Sequence, residues 1–126
     1  MKITTFDPII VTTKFDDAVE VFESLGFEKT HAPVTDTGEK DVQSYRMKNA
    51  DGFHVDVADV PDIPRDMEYI RINVDDFDAA YEIFMKHGFT NPRGDGTIDQ
   101  KSSKTASLFS PSGYRVALVQ HIKDHD

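Results

Sequence analysis

Apolar and polar positions repeat along the chain in two matching blocks. Shifted by 62 residues, segment 15–27 falls on segment 77–89 without a gap, and seven of the thirteen positions are identical. Both copies carry apolar residues at i, i+3 and i+4, which is typical of an amphipathic helix packed on a sheet. The predicted buried stripe consists of Ala18, Val21 and Phe22 in the first copy and of Ala80, Ile83 and Phe84 in the second.

Start and stop signals agree with this repeat. Acidic residues open each copy, where carboxylates satisfy free N–H groups and favour the positive end of a helix. Gly26 and Gly88 follow the predicted helix ends, where a left-handed residue commonly terminates a helix. Leu25 extends the first apolar stripe, and His87 takes its place in the second. We therefore expect two equivalent helices.

Short alternating segments surround each predicted helix. Residues 9–12 precede the first helix and residues 70–74 precede the second, both with the alternation of a strand. Each copy then ends in two alternating segments joined by a glycine-containing turn, at residues 44–58 and 106–119. These segments predict a β-hairpin at the end of each copy.

The pattern predicts an α+β fold of two tandem βαβββ modules. Polar stretches at residues 30–41 and 91–105 are each expected to contain one irregular edge strand. Two prolines within residues 60–66 make a stiff connector that places the module boundary. We expect modules 1–62 and 63–126 to share a single domain of 126 residues, because halves of about 60 residues bury too little apolar surface to stand alone.

Composition narrows the range of functions. With no cysteine, the chain has no disulfide, thiolate metal site or cysteine nucleophile. A net charge of −9 and scattered basic residues disfavour nucleic acid as a partner. The amino-terminal residues are too polar for a signal peptide, and no apolar run approaches the length of a membrane span. We expect a cytoplasmic protein with no membrane association.

Three sequence features resemble one known superfamily. They are the segment Val-Asp-Asp-Phe-Asp-Ala-Ala at 74–80, the Gly-Phe that closes each helix, and Ser-Pro-Ser-Gly-Tyr-Arg-Val-Ala-Leu-Val at 110–119. They resemble glyoxalase, bleomycin-resistance and extradiol-dioxygenase proteins, which form the vicinal oxygen chelate superfamily. The resemblance covers nearly the whole chain and implies an open barrel-like curved sheet. It also implies a homodimer, which exposed sheet edges would favour.

The resemblance implies metal ligands on the first and last strand of each module, where the superfamily carries His, Gln or Glu. The matching positions in this chain are Asp7, Asp56, Tyr69 and Ala117. Two carboxylates without an imidazole make a poor site for zinc, nickel or iron. We therefore expect no metal cofactor, with a hard divalent cation at Asp7 and Asp56 as the alternative.

Alternation along the strands predicts which side chains face a ligand. The candidate ligand-binding residues are Asp7, His54, Asp56, Tyr69, Arg71, Asn73, Arg115 and Ala117. Arg71 and Arg115 suit a carboxylate or phosphate, and Tyr69 suits hydrogen bonding or stacking. The alternative is internal pairing of Arg71 with Asp56 and of Arg115 with Asp7 or a nearby acid.

The remaining histidines suggest no metal site. His54 is expected to be a hydrogen-bonded wall residue, and His121 with His125 a solvated terminus. We expect a metal-free small-molecule-binding protein similar to the bleomycin-resistance branch. A divalent-metal-dependent lyase, isomerase or dioxygenase using Asp7, His54 and Asp56 is one alternative, and a non-catalytic interaction domain is another.

Overall fold

Residues 1–99 and 103–121 are described by the structure, which is a computed structural model. They form nine strands and two helices. In chain order these are β1 (Ile3–Thr12), α1 (Phe15–Ser24), β2 (Glu28–His31), β3 (Val34–Asp36), β4 (Asp41–Lys48), β5 (His54–Asp59), β6 (Met67–Val74), α2 (Phe77–Lys86), β7 (Ile98–Asp99), β8 (Ser103–Phe109) and β9 (Arg115–His121).

The chain divides into two compact units. The amino-terminal unit is Asp7–Glu68, and the carboxy-terminal unit is Met1–Phe6 together with the described residues from Tyr69 onward. The division falls within β1. Each unit contains one helix and a set of strands in the order that the repeat predicts, and the polar stretch after α1 contributes an additional short strand, β3.

In the amino-terminal unit the strand order is β2-β4-β5-β1. Strands β1 and β5 are parallel, whereas β4 and β5 form the predicted antiparallel hairpin. The core is a cluster of Val19, Met47, Val55 and Val57, against which aromatic residues of α1 pack. On β5, the buried side chains that face α1 therefore belong to odd-numbered residues.

In the carboxy-terminal unit the strand order is β6-β9-β8-β7. Strands β6 and β9 are parallel, and β8 and β9 form the second predicted hairpin. The core cluster is larger and contains Val74, Phe77, Ala80, Ala106, Leu108, Val116 and Leu118. Its strand residues are even-numbered, so the helix-facing register is the opposite of that in β5.

The helix ends follow the predicted chemistry in most respects. Asp76 caps α2, since its Oδ1 accepts a hydrogen bond of 3.1 Å from the Ala79 N–H. Lys14 precedes α1 without a side-chain cap. Gly26 and Gly88 have φ of 99° and 85°, which confirms the left-handed position after each helix.

The predicted apolar stripe is wrong at three positions. Val21, Leu25 and Ile83 are 55%, 66% and 49% exposed. The buried face of α1 is centred on Val19, with Phe15 and the predicted Ala18 and Phe22 packed beside it. At roughly 100° per residue, Val19 and Val21 lie on opposite sides of the helix, so burial of Val19 turns Val21 outward.

Candidate functional site

The carboxy-terminal unit has a polar face on the side of its sheet away from α2. Because Val74, Val116 and Leu118 are in the core, their odd-numbered neighbours point the other way. This confirms the predicted register of β6 and β9. We call this surface the polar face; it consists of Tyr69, Arg71, Asn73, Ser107, Arg115, Ala117, Val119 and His121.

Arg71 and Asn73 are the most deeply buried polar groups of the polar face, with 7% and 1% exposure. Arg71 Nε donates to Asn73 Oδ1 at 2.9 Å, and Asn73 Nδ2 lies 3.1 Å from His121 Nε2. A buried charge is stable only when hydrogen bonds replace its hydration. The three side chains therefore form one connected hydrogen-bonded chain.

Tyr69 lies on the same face near Arg115. Burial raises the pKa of Tyr69, while the charge of Arg115 and a hydrogen bond with Ser107 act in the opposite direction. The phenol is therefore neutral at physiological pH and retains a proton to donate. A neutral donor beside a guanidinium suits an anionic acceptor.

Arg115 adds a second cationic group with a distinctive environment. Its Nε is buried and has no hydrogen-bond partner among the residues that the structure describes. A buried donor without a partner costs about 1–3 kcal/mol. A ligand that placed an acceptor against this Nε would recover that cost.

Ala117 has a small apolar side chain between larger polar residues. In the strand register it lies opposite Arg71 on β6 and opposite Ser107 on β8. Directly opposed β-carbons of an antiparallel pair, such as those of Ala117 and Ser107, are about 4.5–5.5 Å apart. One of the four positions matched to metal ligands is therefore a methyl group that lies opposite Arg71 and Ser107 in the register.

Asp7, His54 and Asp56 belong to the amino-terminal unit. Val55 is in the core there, so His54 and Asp56 point away from α1. Asp56 is paired in register with Ile9, two residues after Asp7, which places Asp7 on the same face. Asp7 and Asp56 are only 4% and 6% exposed.

Sequence reasoning missed the neighbour of Asp56. Arg46 lies directly opposite it across the hairpin, with 3.7 Å between Arg46 Nε and Asp56 Oδ1. Counting outward from the turn that contains Gly52 would have indicated this pair. The alternative pairing of Arg71 with Asp56, and of Arg115 with Asp7, stays a prediction.

The prediction that His121 is solvated is wrong. It is partly buried, lies at the end of β9 and contacts Asn73. Continuing the alternation of β9 from Arg115 through positions 117 and 119 would have placed His121 on the polar face. His125 lies outside the described residues.

The positions that match metal ligands do not fit a divalent metal. Ala117 has no donor atom, the Tyr69 phenol is neutral, and Arg46 lies against the Asp56 carboxylate. Within residues 1–99 and 103–121 there is no group of three or more His, Cys, Asp or Glu side chains that could hold a metal ion. Borderline metals prefer imidazole and thiolate donors, which these positions lack. A metal-free site therefore stays a prediction, supported by this donor set.

Neither helix in the described part of the chain has the length and apolar character needed to cross a membrane.

Comparison with known proteins gives a family match over most of the chain. The family model of the Glyoxalase/Bleomycin resistance protein/Dioxygenase superfamily matches residues 4–118. None of the curated proteins compared with the chain is significantly similar in sequence.

Several solved structures are similar in fold. Methylmalonyl-CoA epimerase from Mycobacterium tuberculosis is 14% identical, with a TM-score of 0.71 over 94% of this chain and 88% of that chain. A variant of the Streptomyces coelicolor epimerase in complex with 2-nitronate-propionyl-CoA is 18% identical, with a TM-score of 0.69 over 97% and 100%. A methylmalonyl-CoA epimerase in complex with methylmalonyl-CoA and NH4+ is 17% identical, with a TM-score of 0.68 over 96% of both chains. These matches confirm the predicted α+β class and glyoxalase-like fold.

Proposed function

Because the chain belongs to the Glyoxalase/Bleomycin resistance protein/Dioxygenase superfamily, we propose that it binds a small organic anion without a metal ion. The ligand would lie against the polar face of the carboxy-terminal unit. Function in this superfamily varies on a common fold, so the proposal depends on the side chains of the site.

The observation that carries the proposal is the environment of Arg115. Its buried Nε lacks a hydrogen-bond partner among the described residues, and Tyr69 next to it is a neutral donor. Arg71 supplies a second positive charge on the same face. A carboxylate or phosphate offers acceptors that match a guanidinium in geometry and charge.

The small side chain of Ala117 supports the same conclusion. A carboxylate at this position would neutralise the neighbouring guanidinium and could serve a cation. A methyl group adds no charge opposite Arg71 and is a small side chain opposite Ser107. The position thus favours an anion where a superfamily metal ligand would favour a cation.

The neighbours in fold suggest the first probes. Their structures are those of epimerases of methylmalonyl-CoA, a thioester that carries a free carboxylate. Protein treated with a chelator and shown to be metal-free should be titrated calorimetrically with methylmalonyl-CoA, propionyl-CoA and small dicarboxylic acids. We expect the probes with a free carboxylate to bind, and propionyl-CoA to bind more weakly than methylmalonyl-CoA.

Arg115→Met is the decisive variant. Hydrogen bonds to charged groups contribute about 1.5–3 kcal/mol, so affinity for the best probe should fall ten- to a hundredfold. Arg65→Met, which removes an exposed arginine outside the polar face, is the matched control and should bind as the parent does. Unchanged affinity in Arg115→Met, or a stoichiometric transition metal in the purified protein, would refute the proposal.

A metal-dependent isomerase is the second candidate, favoured by the epimerase neighbours. It would have to use Asp7, His54 and Asp56, which share one face of the amino-terminal unit but do not form, among the described residues, a group that could hold a metal ion as they stand. Deuterium uptake at the α-carbon of methylmalonyl-CoA in heavy water, stimulated by a divalent metal and lost in Asp56→Asn, would support it. Uptake that is absent at every metal concentration would exclude it for this substrate.

Assembly and location complete the proposal. We expect a homodimer, since the superfamily resemblance implies one and since β2 and β7 are edge strands whose free backbone groups can pair with another copy. We also expect a cytoplasmic protein with neither nucleic acid nor membrane as a partner. Sedimentation equilibrium tests the first expectation, because a mass of 14.2 kDa at all concentrations would contradict dimerisation.

A further inference from the structure

The hydrogen-bonded chain from Arg71 through Asn73 to His121 extends the polar face beyond the groups that would touch a ligand. Asn73 lies opposite Val119 in the register of β6 and β9, and His121 is two residues further along β9. Such diagonal neighbours in a sheet are within reach of long side chains. The register therefore brings the imidazole to the Asn73 amide, 3.1 Å away.

The donors and acceptors in this hydrogen-bonded network determine how the Asn73 amide and the His121 imidazole are oriented. Arg71 Nε only donates, so the Asn73 atom 2.9 Å from it must be the carbonyl oxygen. The Asn73 amide nitrogen therefore points to His121 and donates. His121 Nε2 must then accept, which places the imidazole proton on Nδ1 in the neutral ring.

We propose that His121, acting through Asn73, is a positioning residue that fixes the guanidinium of Arg71 on the polar face. The proposal rests on the proposed function, since it is Arg71 as a ligand-binding group that gains from being fixed. An arginine held in one orientation loses less conformational freedom when an anion binds.

The fixed geometry also explains why Asn73 is almost fully buried although it is polar. Its carbonyl and its amide nitrogen each have a partner, so burial leaves neither oriented group unsatisfied. Replacing His121 by a group without an acceptor would leave the Asn73 amide free to rotate. Rotation would present N–H groups to Arg71 Nε and break their hydrogen bond.

The test compares His121→Leu, which has no acceptor, with His121→Gln, whose side-chain oxygen can accept from Asn73. The first readout is exchange of the Arg71 Nε–H with water, followed by nitrogen-15 NMR in the protein without ligand. We expect exchange at least tenfold faster in His121→Leu and within twofold of the parent in His121→Gln. His87→Leu, at an exposed position after α2, is the control.

The second readout is affinity for methylmalonyl-CoA by calorimetry. We expect a five- to tenfold loss in His121→Leu, recovery in His121→Gln, and no further loss when His121→Leu is added to Arg71→Met. Unchanged exchange at Arg71 Nε in a folded His121→Leu protein would overturn the proposal. The proposal would also be overturned if His121→Leu lowered the affinity equally in the parent protein and in the Arg71→Met variant.

The two proposals fail in different ways. If Arg71→Met and Arg115→Met both bind methylmalonyl-CoA as the parent does, the proposed function fails, and the exchange measurement still decides whether His121 holds Arg71. If both arginine variants lose affinity while His121→Leu leaves Arg71 exchange unchanged, only the positioning role fails.

Discussion

Gly26 and Gly88 occupy equivalent positions after the two helices and allow one substitution to be compared within a single molecule. Both have positive φ, 99° and 85°. A β-carbon added at Gly26 meets nothing within 4 Å, whereas one added at Gly88 lies 3.1 Å from Pro111 Cγ. The pair therefore separates the cost of backbone conformation from the cost of a close contact.

The expected magnitudes follow from these two terms. A left-handed conformation costs an L-residue about 1–2 kcal/mol, and the reduced freedom of the unfolded chain returns about 0.4–1 kcal/mol. Gly26→Ala should therefore lower the free energy of unfolding by about 1 kcal/mol. Gly88→Ala should lose about 1 kcal/mol more, the lower end for overpacking, because Pro111 is exposed and can shift.

Urea denaturation at 25 °C, followed by far-ultraviolet circular dichroism, measures both losses. Adding Pro111→Ala to Gly88→Ala removes the close contact and should bring the loss back to that of Gly26→Ala. Equal losses in the two single variants, or no recovery in the double variant, would refute the reasoning from the contact.

Three further predictions concern the core, the linker and the site. Leu118→Ala, at a fully buried position, should cost about 2–5 kcal/mol, whereas Leu25→Ala, at a 66% exposed position, should change stability by less than about 0.5 kcal/mol in thermal and urea unfolding. Hydrogen bonds from the Thr13 N–H and the Thr12 hydroxyl lower the pKa of the Asp66 carboxyl below its ordinary 3.8. The ionised carboxylate therefore stabilises the fold at pH values above about 4. The stability difference between the parent and Asp66→Asn should therefore shrink as the pH falls below about 4, and a constant difference would contradict this. Ala117→Glu should abolish binding of methylmalonyl-CoA at pH 7, because it adds a carboxylate opposite the guanidinium of Arg71; calorimetry that shows retained affinity would count against the proposed site.

The helices, hairpins and strand register were predictable because each depends on neighbours close in sequence. Gly26, Gly88 and the two hairpin turns signal their conformation directly. The exposed Val21 shows the limit of this reasoning. Apolar spacing of three and four residues defines a helix, but the position of the strands decides which side of it is buried.

Site groups were less predictable because their neighbours are distant in sequence. The alternation of β6 correctly placed Tyr69 and Arg71 on the face away from the helix. The hydrogen bond between Asn73 and His121 joins residues that are 48 apart in sequence, and it depends on the parallel pairing of β6 with β9. Only the paired register reveals that a histidine near the carboxyl end belongs to this face.

The separation between core face and polar face within β6 and β9 makes the carboxy-terminal unit a suitable scaffold for engineering. Even-numbered positions such as Val116 and Leu118 maintain the interior, so they should be held constant in a combinatorial library. Partly exposed odd-numbered positions such as Tyr69 and Arg115 could be randomised together, since the substitutions would leave those packed side chains in place. Selection from such a library could change the specificity of the protein while most of its members still fold.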